Sequence, residues 1–585
     1  MPPAARTLEK TCQWTVQPAD PAAEDLSRQL KIPLLLAQVL INRQVTEPSA
    51  ANAFLNPKLT DLLPAETMPG VSAAVERVQH ALDEGERITL YGDYDVDGIT
   101  GVSILLALLT ELGVRVDYYI PHRIHEGYGL NTEAIESLAR SGTKLLITVD
   151  CGITGVDACQ VAADLGMDVI ITDHHKTPDE LPRAAAIVHP LMDPGYGNTD
   201  SAGAMVAFKL AWAIANRACA GAKLTDKLRR FMLDATSLAA VGTVADIVDL
   251  RGENRALTSF GLKALATSGL AGISALIEVA GLQGKGLDSY DVGFKIGPML
   301  NAAGRMGHAR LAVELLAMDS PTRCREISEY LQGQNRLRQQ CGRKIFKEAC
   351  QLVKASGFDH AERRSLVLAG ENWHRGVVGI VASRMVDKYH LPTIVVNVDE
   401  VTGEAQGSAR SIPGFSIYDA IKACAEHLVS FGGHEMAAGV TIKPDRIEQF
   451  TADFEAYARD HLDDQDVVGK LNVDAEVPLS QFTLDMVKQL QRLEPFGQGN
   501  PRPLFATRGV RLISAPRCVG AKGDHLQLSL TDRSHSLRCI GFGMGKLEKK
   551  LLEADCFDVA YEAQINTYHG NTTVQLVLVD IQFES

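Results

Sequence analysis

The chain has 585 residues, a formal net charge of −14, and 46% hydrophobic and 22% charged residues, which predicts about three or four ordinary globular domains rather than one core. The acidic balance argues against coating nucleic acid through bulk charge, though not against a local basic groove. No apolar run approaches the roughly 20 residues of a membrane span; the opening MPPAARTLEK lacks a signal peptide's apolar stretch, and the 11 cysteines without a CxxC pair suggest no zinc site or disulfide framework and fit a reducing cytoplasm.

Residues 1–75 read as a helical lead-in, broken by prolines at 48, 57, 64 and 69. VSAAVERVQHAL (71–82) has helical spacing. From about residue 87 the rhythm is βαβα: RITLYGDYD a strand, DGITGVSILLALLTELG a helix ending at Gly113, VRVDYYI a strand, Asn131–Arg140 a helix. KLLITVD, the helix GITGVDACQVAADLG and the strand MDVIITDHH follow. Apolar strands alternating with helices predict an α/β, doubly wound parallel sheet, with functional groups gathered beyond the strands' carboxyl ends. Residues 321–356 form the longest helical pattern, a basic helix with Ile327, Leu331, Leu337, Cys341, Ile345, Ala349 and Leu352 near one face. A second α/β unit follows, with strands RSLVLAG and PTIVVNV around GVVGIVASRMVDKY, then GEAQGSARS, a helix at 416–429 and GGHEMAAGVTI. From about 465, short strands and turns predict a small β-barrel of about five strands, such as an OB-fold. The expected division is 1–75 lead-in, 76–320 catalytic α/β domain, 321–357 connector helix, 358–463 second α/β lobe and 464–585 barrel.

The chemistry concentrates in LYGDYDVDGITG (90–101), where Asp93, Asp95 and Asp97 crowd the end of a strand. Like charges this close raise each other's pKa unless something positive sits among them, a helix N-terminus or a divalent metal. Three more apolar approaches run into Asp150, into Asp173-His174-His175 and, in LAAVGTVADIVDL, into Asp246; all are read as strand ends. Carboxylates suit magnesium or manganese, and an imidazole tilts the preference to manganese. A shared carboxylate can bridge two ions roughly 3.5–4 Å apart for in-line displacement at phosphorus. Singly, each motif has a structural reading: Asp95 or Asp97 as a cap of a helix starting near Gly98, a His-His pair as a solvated surface. Four together, in order on one sheet, favour the metal reading.

GDYDVDGITG, TVDCG, ITDHH and GTVAD resemble the four motifs of the DHH phosphoesterase superfamily. PMLNAAGRMGHA (298–309), QGQNRLRQ (332–339), GSARS (407–411), FGGHEMAAG (431–439) and LEPFGQGNPRPLF (493–505) narrow the resemblance, over nearly the whole chain, to the RecJ family of bacterial single-strand-specific DNA exonucleases. The resemblance implies a DHH domain at 76–320, a DHH-associated lobe at 358–463 and an OB-fold at 464–585. It implies Asp95, Asp97, Asp150, His174 and Asp246 as metal ligands, with Asp150 the bridge. Asp93 either ligates or orients the attacking water, and His175 touches the scissile phosphate. One departure stands out: many relatives have histidine where this chain has Tyr91, a poor ligand, so one metal has fewer protein ligands and binds more weakly.

For the strand itself, Arg305 sits among small residues and its guanidinium can fork a phosphate. Ser408 and Arg410, and Arg123 in PHRIHEGYG, can hold a 5′-terminal phosphate; any one of these arginines could instead form a surface salt bridge. Gly432 and Gly433 before His434 read as a phosphate cradle and also as a turn between helix and strand. The basic connector can supply a positive wall. Phe542, Tyr561 and Tyr568 are stacking candidates better read as packing residues. A groove between two lobes would admit one strand and exclude a duplex. The resemblance makes the activity a 5′→3′ exonuclease releasing 5′-mononucleotides in recombination and repair. It implies two Mn2+ or Mg2+ ions, single-strand-binding protein and a helicase as partners, a monomer and a cytoplasmic location. The alternatives are a short-oligonucleotide or cyclic-dinucleotide phosphodiesterase of the same superfamily, disfavoured by the barrel, and a non-catalytic DNA-binding scaffold, disfavoured by intact motifs.

Overall fold

The computed structural model describes residues 12–123, 126–220, 222–358, 362–399, 403–568 and 570–583. The lead-in is β1 (Gln13–Val16), α1 (Pro21–Leu30), α2 (Leu34–Asn42) and α3 (Pro48–Leu55), followed by α4 (Val71–Asp83). The expected alternation then appears as β2 (Ile88–Gly92), α5 (Val96–Glu111), β3 (Val116–Tyr119), α6 (Thr132–Arg140), β4 (Leu145–Val149), α7 (Val156–Asp164), β5 (Asp168–Thr172) and β6 (Ala186–Val188). The strands pair in parallel in the order β3-β2-β4-β5-β6. Every residue of β2 and β4 is buried, as befits a parallel sheet covered on both faces.

Helices α8 (Gly203–Ala218), α9 (Asp226–Ala245), α10 (Gly252–Leu265) and α11 (Ala271–Val279) continue the domain. α5 packs against both α8 and α9 and is buried on every side from Val96 to Leu106, hence its uniformly apolar sequence. A short turn α12 (Ser289–Asp291), a π-turn at Val292–Ile296, α13 (Gly297–Arg305) and α14 (Ala309–Ala317) lead to α15 (Pro321–Ala355), a single 35-residue helix. Its buried face carries Ile327, Leu331, Ile345, Ala349 and Val353, while Leu337 is exposed.

The second α/β lobe contains β7 (Leu366–Glu371), α16 (Arg375–Tyr389), β8 (Thr393–Asp399), β9 (Glu404–Arg410), α17 (Ile417–Ala423), β10 (Leu428–His434), β11 (Ala437–Ile442) and α18 (Ile447–His461). Its sheet has the order β10-β11-β9-β8-β7. The helix expected over 416–429 stops at Ala423, because 428–434 pairs with β11 as an edge strand. The described residues group by contact into two units, one of 12–14, 305–307 and 331–471 and one of 15–304, 308–330 and 472–583.

After β12 (Lys470–Val473) come β13 (Ala475–Glu476), α19 (Leu484–Gln491), β14 (Phe505–Leu512), β15 (Arg517–Val519), β16 (His525–Thr531), β17 (Ser536–Gly541), α20 (Glu548–Glu553), β18 (Phe557–Tyr568) and β19 (Asn571–Phe583). The run β14-β18-β19-β17-β16 closes on itself through the β14–β16 pairing, which makes an OB-like barrel of the five main strands. Ala23, Leu36, Leu40 and Phe54 of the lead-in share one apolar core with Phe482, Phe505, Phe557, Tyr561 and Leu576 of the barrel. The buried Arg255 guanidinium crosses this region, donating to Phe54 O (2.7 Å), Leu493 O (2.9 Å) and Glu494 O (2.7 Å). The buried Arg43 side chain donates to Asn500 Oδ1 (2.8 Å). LEPFGQGNPRPLF is thus a polar knot whose oxygens satisfy two buried arginines.

Candidate metal centre and phosphate face

The aspartates of the first strand end stand in different surroundings. Asp95 is the N-cap of α5, its Oδ1 accepting from Asp97 N (2.9 Å) and Gly98 N (3.2 Å); the helix begins at Val96, two residues before the expected Gly98. Asp97 sits in the first turn and reaches across to the N-terminus of α8. Its Oδ2 accepts from Gly203 N (2.6 Å) and its Oδ1 from Ala204 N (2.9 Å). A Cβ on Gly203 would lie 2.6 Å from Asp150 Cβ, so only glycine lets α8 come this close. Asp93 is 3% exposed and its Oδ1 has no hydrogen-bond partner.

Asp150, at the end of β4, holds a left-handed φ of 61°, strain of the kind that gathers at functional sites. His174 Nε2 lies 3.1 Å from Asp150 Oδ1, 3.8 Å from Asp97 Oδ2 and 3.7 Å from Asp246 Oδ2. Neither His174 Nε2 nor Asp150 Oδ1 makes a hydrogen bond, although both are buried. At this centre potential ligand atoms fall within 4.8 Å of one another in three groups: Asp93, Asp95 and Asp150; Asp97, His174 and Asp246; Asp150, His174 and His175; a fourth such group among the described residues, Glu426, His427 and Asp453, lies in the second lobe. Asp246 corrects the sequence reading: it is the C-cap of helix α9, not a strand end. A buried apolar run rich in alanine and glycine has no periodicity that separates the two.

Burial, with repulsion from Asp95, pushes Asp97 up to about 7. Burial and repulsion from Asp97 and Asp95 push Asp246 up to about 9. Asp93 and Asp150 are driven well up by burial and by their carboxylate neighbours. Burial lowers His174 to about 4, so its ring is neutral at physiological pH. Buried, unpartnered oxygens facing a neutral imidazole are a donor set suited to a cation, and the mix of carboxylates and one imidazole fits a divalent ion.

Asp173, the first residue of the Asp-His-His run, has a role the sequence reading left unassigned. Its Oδ1 accepts from His174 N (2.7 Å) and His175 N (3.1 Å) and contacts His175 Nδ1 (2.7 Å), while its Oδ2 accepts from Ile153 N (3.0 Å). Burial alone would raise Asp173, but the His175 ring and these donors hold it down at about 2. The same bond outweighs burial to raise His175. Tyr128, also missed, places its hydroxyl 3.0 Å from His175 Nδ1 and donates to Asp150 O at 3.2 Å. Tyr91 points into the apolar core, 0% exposed, its hydroxyl donating to Gly129 O (3.0 Å). Arg123 lies over the Tyr94 ring at 4.7 Å, beside Asp93 and Asp95.

The other predicted contacts belong to the second lobe. Ser408 and Arg410 share one face of β9 (alternate residues), and a Cβ on Gly379 of α16 would lie 3.2 Å from Arg410 Nη2 and 3.3 Å from Ser408 Oγ. Across the sheet Ser408 aligns with Gly439 and Gly432, and Arg410 with Ala437 and His434. The sequence-distant candidates therefore form two adjacent rows on one sheet face. Gly432 and Gly433 lie in paired edge strand β10, not in a turn between helix and strand. Gly433 has φ 148° and a Cβ there would lie 2.4 Å from Ala437 O, so it serves the close packing of the hairpin. Arg305 Nη1 donates to Gly376 O (3.1 Å) at the start of α16. In the barrel, Phe542 is 62% exposed, whereas Tyr561 is fully buried and bonded to Thr507 (2.6 Å). The Tyr568 side chain lies outside the described residues.

Comparison with known proteins agrees with this layout. Family models for the DHH family N-terminal domain, the DHHA1 domain and the RecJ OB domain match residues 87–240, 363–460 and 473–580. The chain is 36% identical over 98% of its length to the single-stranded-DNA-specific exonuclease RecJ of Bacillus subtilis, covering 71% of that protein. The chain belongs to the RecJ family. The RecJ of Haemophilus influenzae is 33% identical, with 90% of this chain and 92% of that protein covered. RecJ from Thermus thermophilus, in a crystal structure with Mn2+, superposes with a TM-score of 0.83 at 30% identity, covering 98% of this chain and 80% of that one. The RecJ likeness thus spans the lead-in as well as the three matched domains. No described helix is long and apolar enough to cross a membrane.

Proposed function

We infer that this chain is a single-strand-specific DNA exonuclease that hydrolyses phosphodiester bonds with the help of divalent cations. The observation that carries the reading is the set of buried, unpartnered atoms Asp93 Oδ1, Asp150 Oδ1 and His174 Nε2 on one family-specific frame. Asp95, Asp97, Asp150, His174 and Asp246 would hold two ions, Mn2+ or Mg2+, with Asp150 shared. Bound cations supply positive charge against the developing phosphorane and lower the pKa of the attacking water. The chain's own residues do the rest. Asp173 orients both histidines through their backbone and side-chain groups. His175, held in place by Asp173, donates to an oxygen of the scissile phosphate. Asp93, buried with an unpartnered Oδ1, orients the water and accepts its proton. Tyr91, with its hydroxyl already bonded to Gly129 O, adds no ligand, so one of the two ions would have fewer protein groups to hold it and would bind more weakly.

Ser408 and Arg410 bind the 5′-terminal phosphate, with His434 in the row of Arg410 and the bare Gly432 in the row of Ser408 admitting a backbone. Arg305 and Arg123 add guanidinium contacts to phosphates. The RecJ resemblance supports 5′→3′ polarity with release of 5′-mononucleotides, in recombination and repair. The same resemblance supports a cytoplasmic monomer working with single-strand-binding protein and a helicase. The barrel that family relatives share favours a polymeric substrate over a dinucleotide.

The test is digestion with manganese of 5′-phosphorylated single-stranded DNA labelled at its 3′ end, beside the same strand in a blunt duplex, with Asp150→Ala as control. Stepwise shortening of the single strand only, lost in the variant, is the expected result. Inertness on long strands with hydrolysis of dinucleotides would instead support the short-substrate reading, and binding without cleavage a scaffold.

A further inference from the structure

Beside the end of α9, two aromatic rings stand in solvent. Tyr290 is 54% and Phe294 68% exposed, and they stack on each other with centroids 4.7 Å apart and planes 25° from parallel. They ride on α12 and the π-turn at Val292–Ile296, a helix irregularity found often at functional sites. Val292 and Ile296 are buried beneath them. The segment is anchored from below. Asp288 caps α12 and pairs with Arg502 (3.0 Å), and Ser289 Oγ donates to Phe496 O. The platform is thus held firmly while its two rings keep more than half of their surface in water.

Position says what they meet. Cβ atoms placed on Gly293 and Gly297 would lie 3.8 Å from Val244 and 3.9 Å from Ala245, the last two residues before Asp246. The π-turn therefore packs on the end of the helix that carries a candidate ligand, whose side chain is itself 27% exposed. The residue after it, Ile247, holds φ 62° and is 68% exposed. A β-branched residue in that conformation is strained relative to glycine and gains no burial for it. Lys295 Nζ lies 5.9 Å from the Tyr290 centroid while paired with Asp291 (2.5 Å), so an ion pair stands beside the rings. Rigid aromatic faces next to a phosphate-cleaving centre match the way single strands are held without reading sequence.

We propose that Tyr290 and Phe294 form a base-stacking platform for nucleotides of the single strand whose phosphate lies at the aspartate–histidine centre, with Ile247 as an apolar edge beside that centre. The proposal rests on the nuclease reading. Stacking is sequence-tolerant because every base has a π face, and it fails for a nucleotide whose base is missing or still paired.

The experiment is fluorescence anisotropy of the full chain in EDTA with a labelled 5′-phosphorylated single strand, intact or with single abasic positions scanned along it. The proteins are wild type, Tyr290→Ala/Phe294→Ala and Phe294→Trp, with melts run in parallel. Wild type should lose roughly 10- to 100-fold in affinity at one or two abasic positions. The double alanine variant should lose about as much on the intact strand, become indifferent to those abasic positions and keep its melt. Phe294→Trp should retain affinity and the abasic pattern. Wild-type affinity in the alanine variant, or an abasic pattern that survives in it, overturns the platform and leaves these rings to a protein partner. The pattern without manganese-dependent digestion would sink the nuclease reading while the platform stands. Digestion without the pattern does the reverse.

Discussion

The aspartate–histidine centre and the Ser408–Arg410 face are both built from residues far apart in sequence, yet their polar groups are in opposite states. At the centre, Asp93, Asp97 and Asp150 are nearly or fully buried, their charges raise one another's pKa, and named atoms lack partners. On the β9–β11–β10 face, Ser408, Arg410 and His434 are partly or fully exposed, and their strands pair in register beneath them. The contrast locates each site's energy. The centre is costly to fold unless the proposed cations bind there, whereas the face costs the fold little, and its proposed role depends on placement.

The sharpest way to break this contrast is Asp150→Asn, which keeps the volume and removes the charge. Manganese-dependent digestion should fall about 1000-fold or more, while the metal-free protein melts at a higher temperature; activity within tenfold of wild type would end the shared-ligand role. Next in size is the pH dependence of the metal-free fold. Asp97, at about 7, and Asp246, at about 9, are raised above the ordinary carboxylate range. Each therefore stabilises fully only below about pH 4, and stability is lost as pH rises through 7 and 9. Differential scanning fluorimetry should show the melting temperature falling by several degrees between about pH 5 and pH 9, with manganese flattening the curve. A metal-free melt that rises over this window would contradict the picture.

On the face, Arg410→Ala should weaken binding of a 5′-phosphorylated strand roughly 10- to 100-fold, the worth of a charge-assisted phosphate contact, and leave a 5′-hydroxyl strand nearly unaffected. Equal losses on both strands would show general charge rather than end recognition. The neighbouring glycines separate packing from approach. Gly433→Ala should cost about 1–3 kcal/mol in urea unfolding because its backbone and Ala437 O exclude a Cβ. Gly432→Ala, with nothing within 4 Å of the new atom, should change stability by less than about 0.5 kcal/mol. The smallest effect is Tyr91→Phe, which loses one buried hydrogen bond, about 1 kcal/mol, with manganese affinity measured by calorimetry unchanged.

Much of this molecule is local in origin. The alternation of strand and helix from 87 to 175, the cap at Asp95, the basic connector helix and the barrel are each written in runs of adjacent residues, because pleat, helical period and capping act over a few positions. So are Asp93, Asp95, Asp97, Asp150 and His174 as candidates, since strand ends in a parallel sheet are where functional groups gather. Other features depend on which segments meet. Asp246 stands at a helix end, a distinction a buried apolar run does not carry. Asp173 and Tyr128 act by hydrogen bonds whose partners lie elsewhere in the chain. Helix α8 lends its N-terminus to Asp97 from 106 residues away, and the lead-in shares its core with a barrel at the opposite end of the sequence. Runs of neighbouring residues were enough for the elements and for the chemical types gathered at the site. Which charges are buried together, and which are left without partners, came from tertiary packing, because burial and repulsion are properties of neighbours in space.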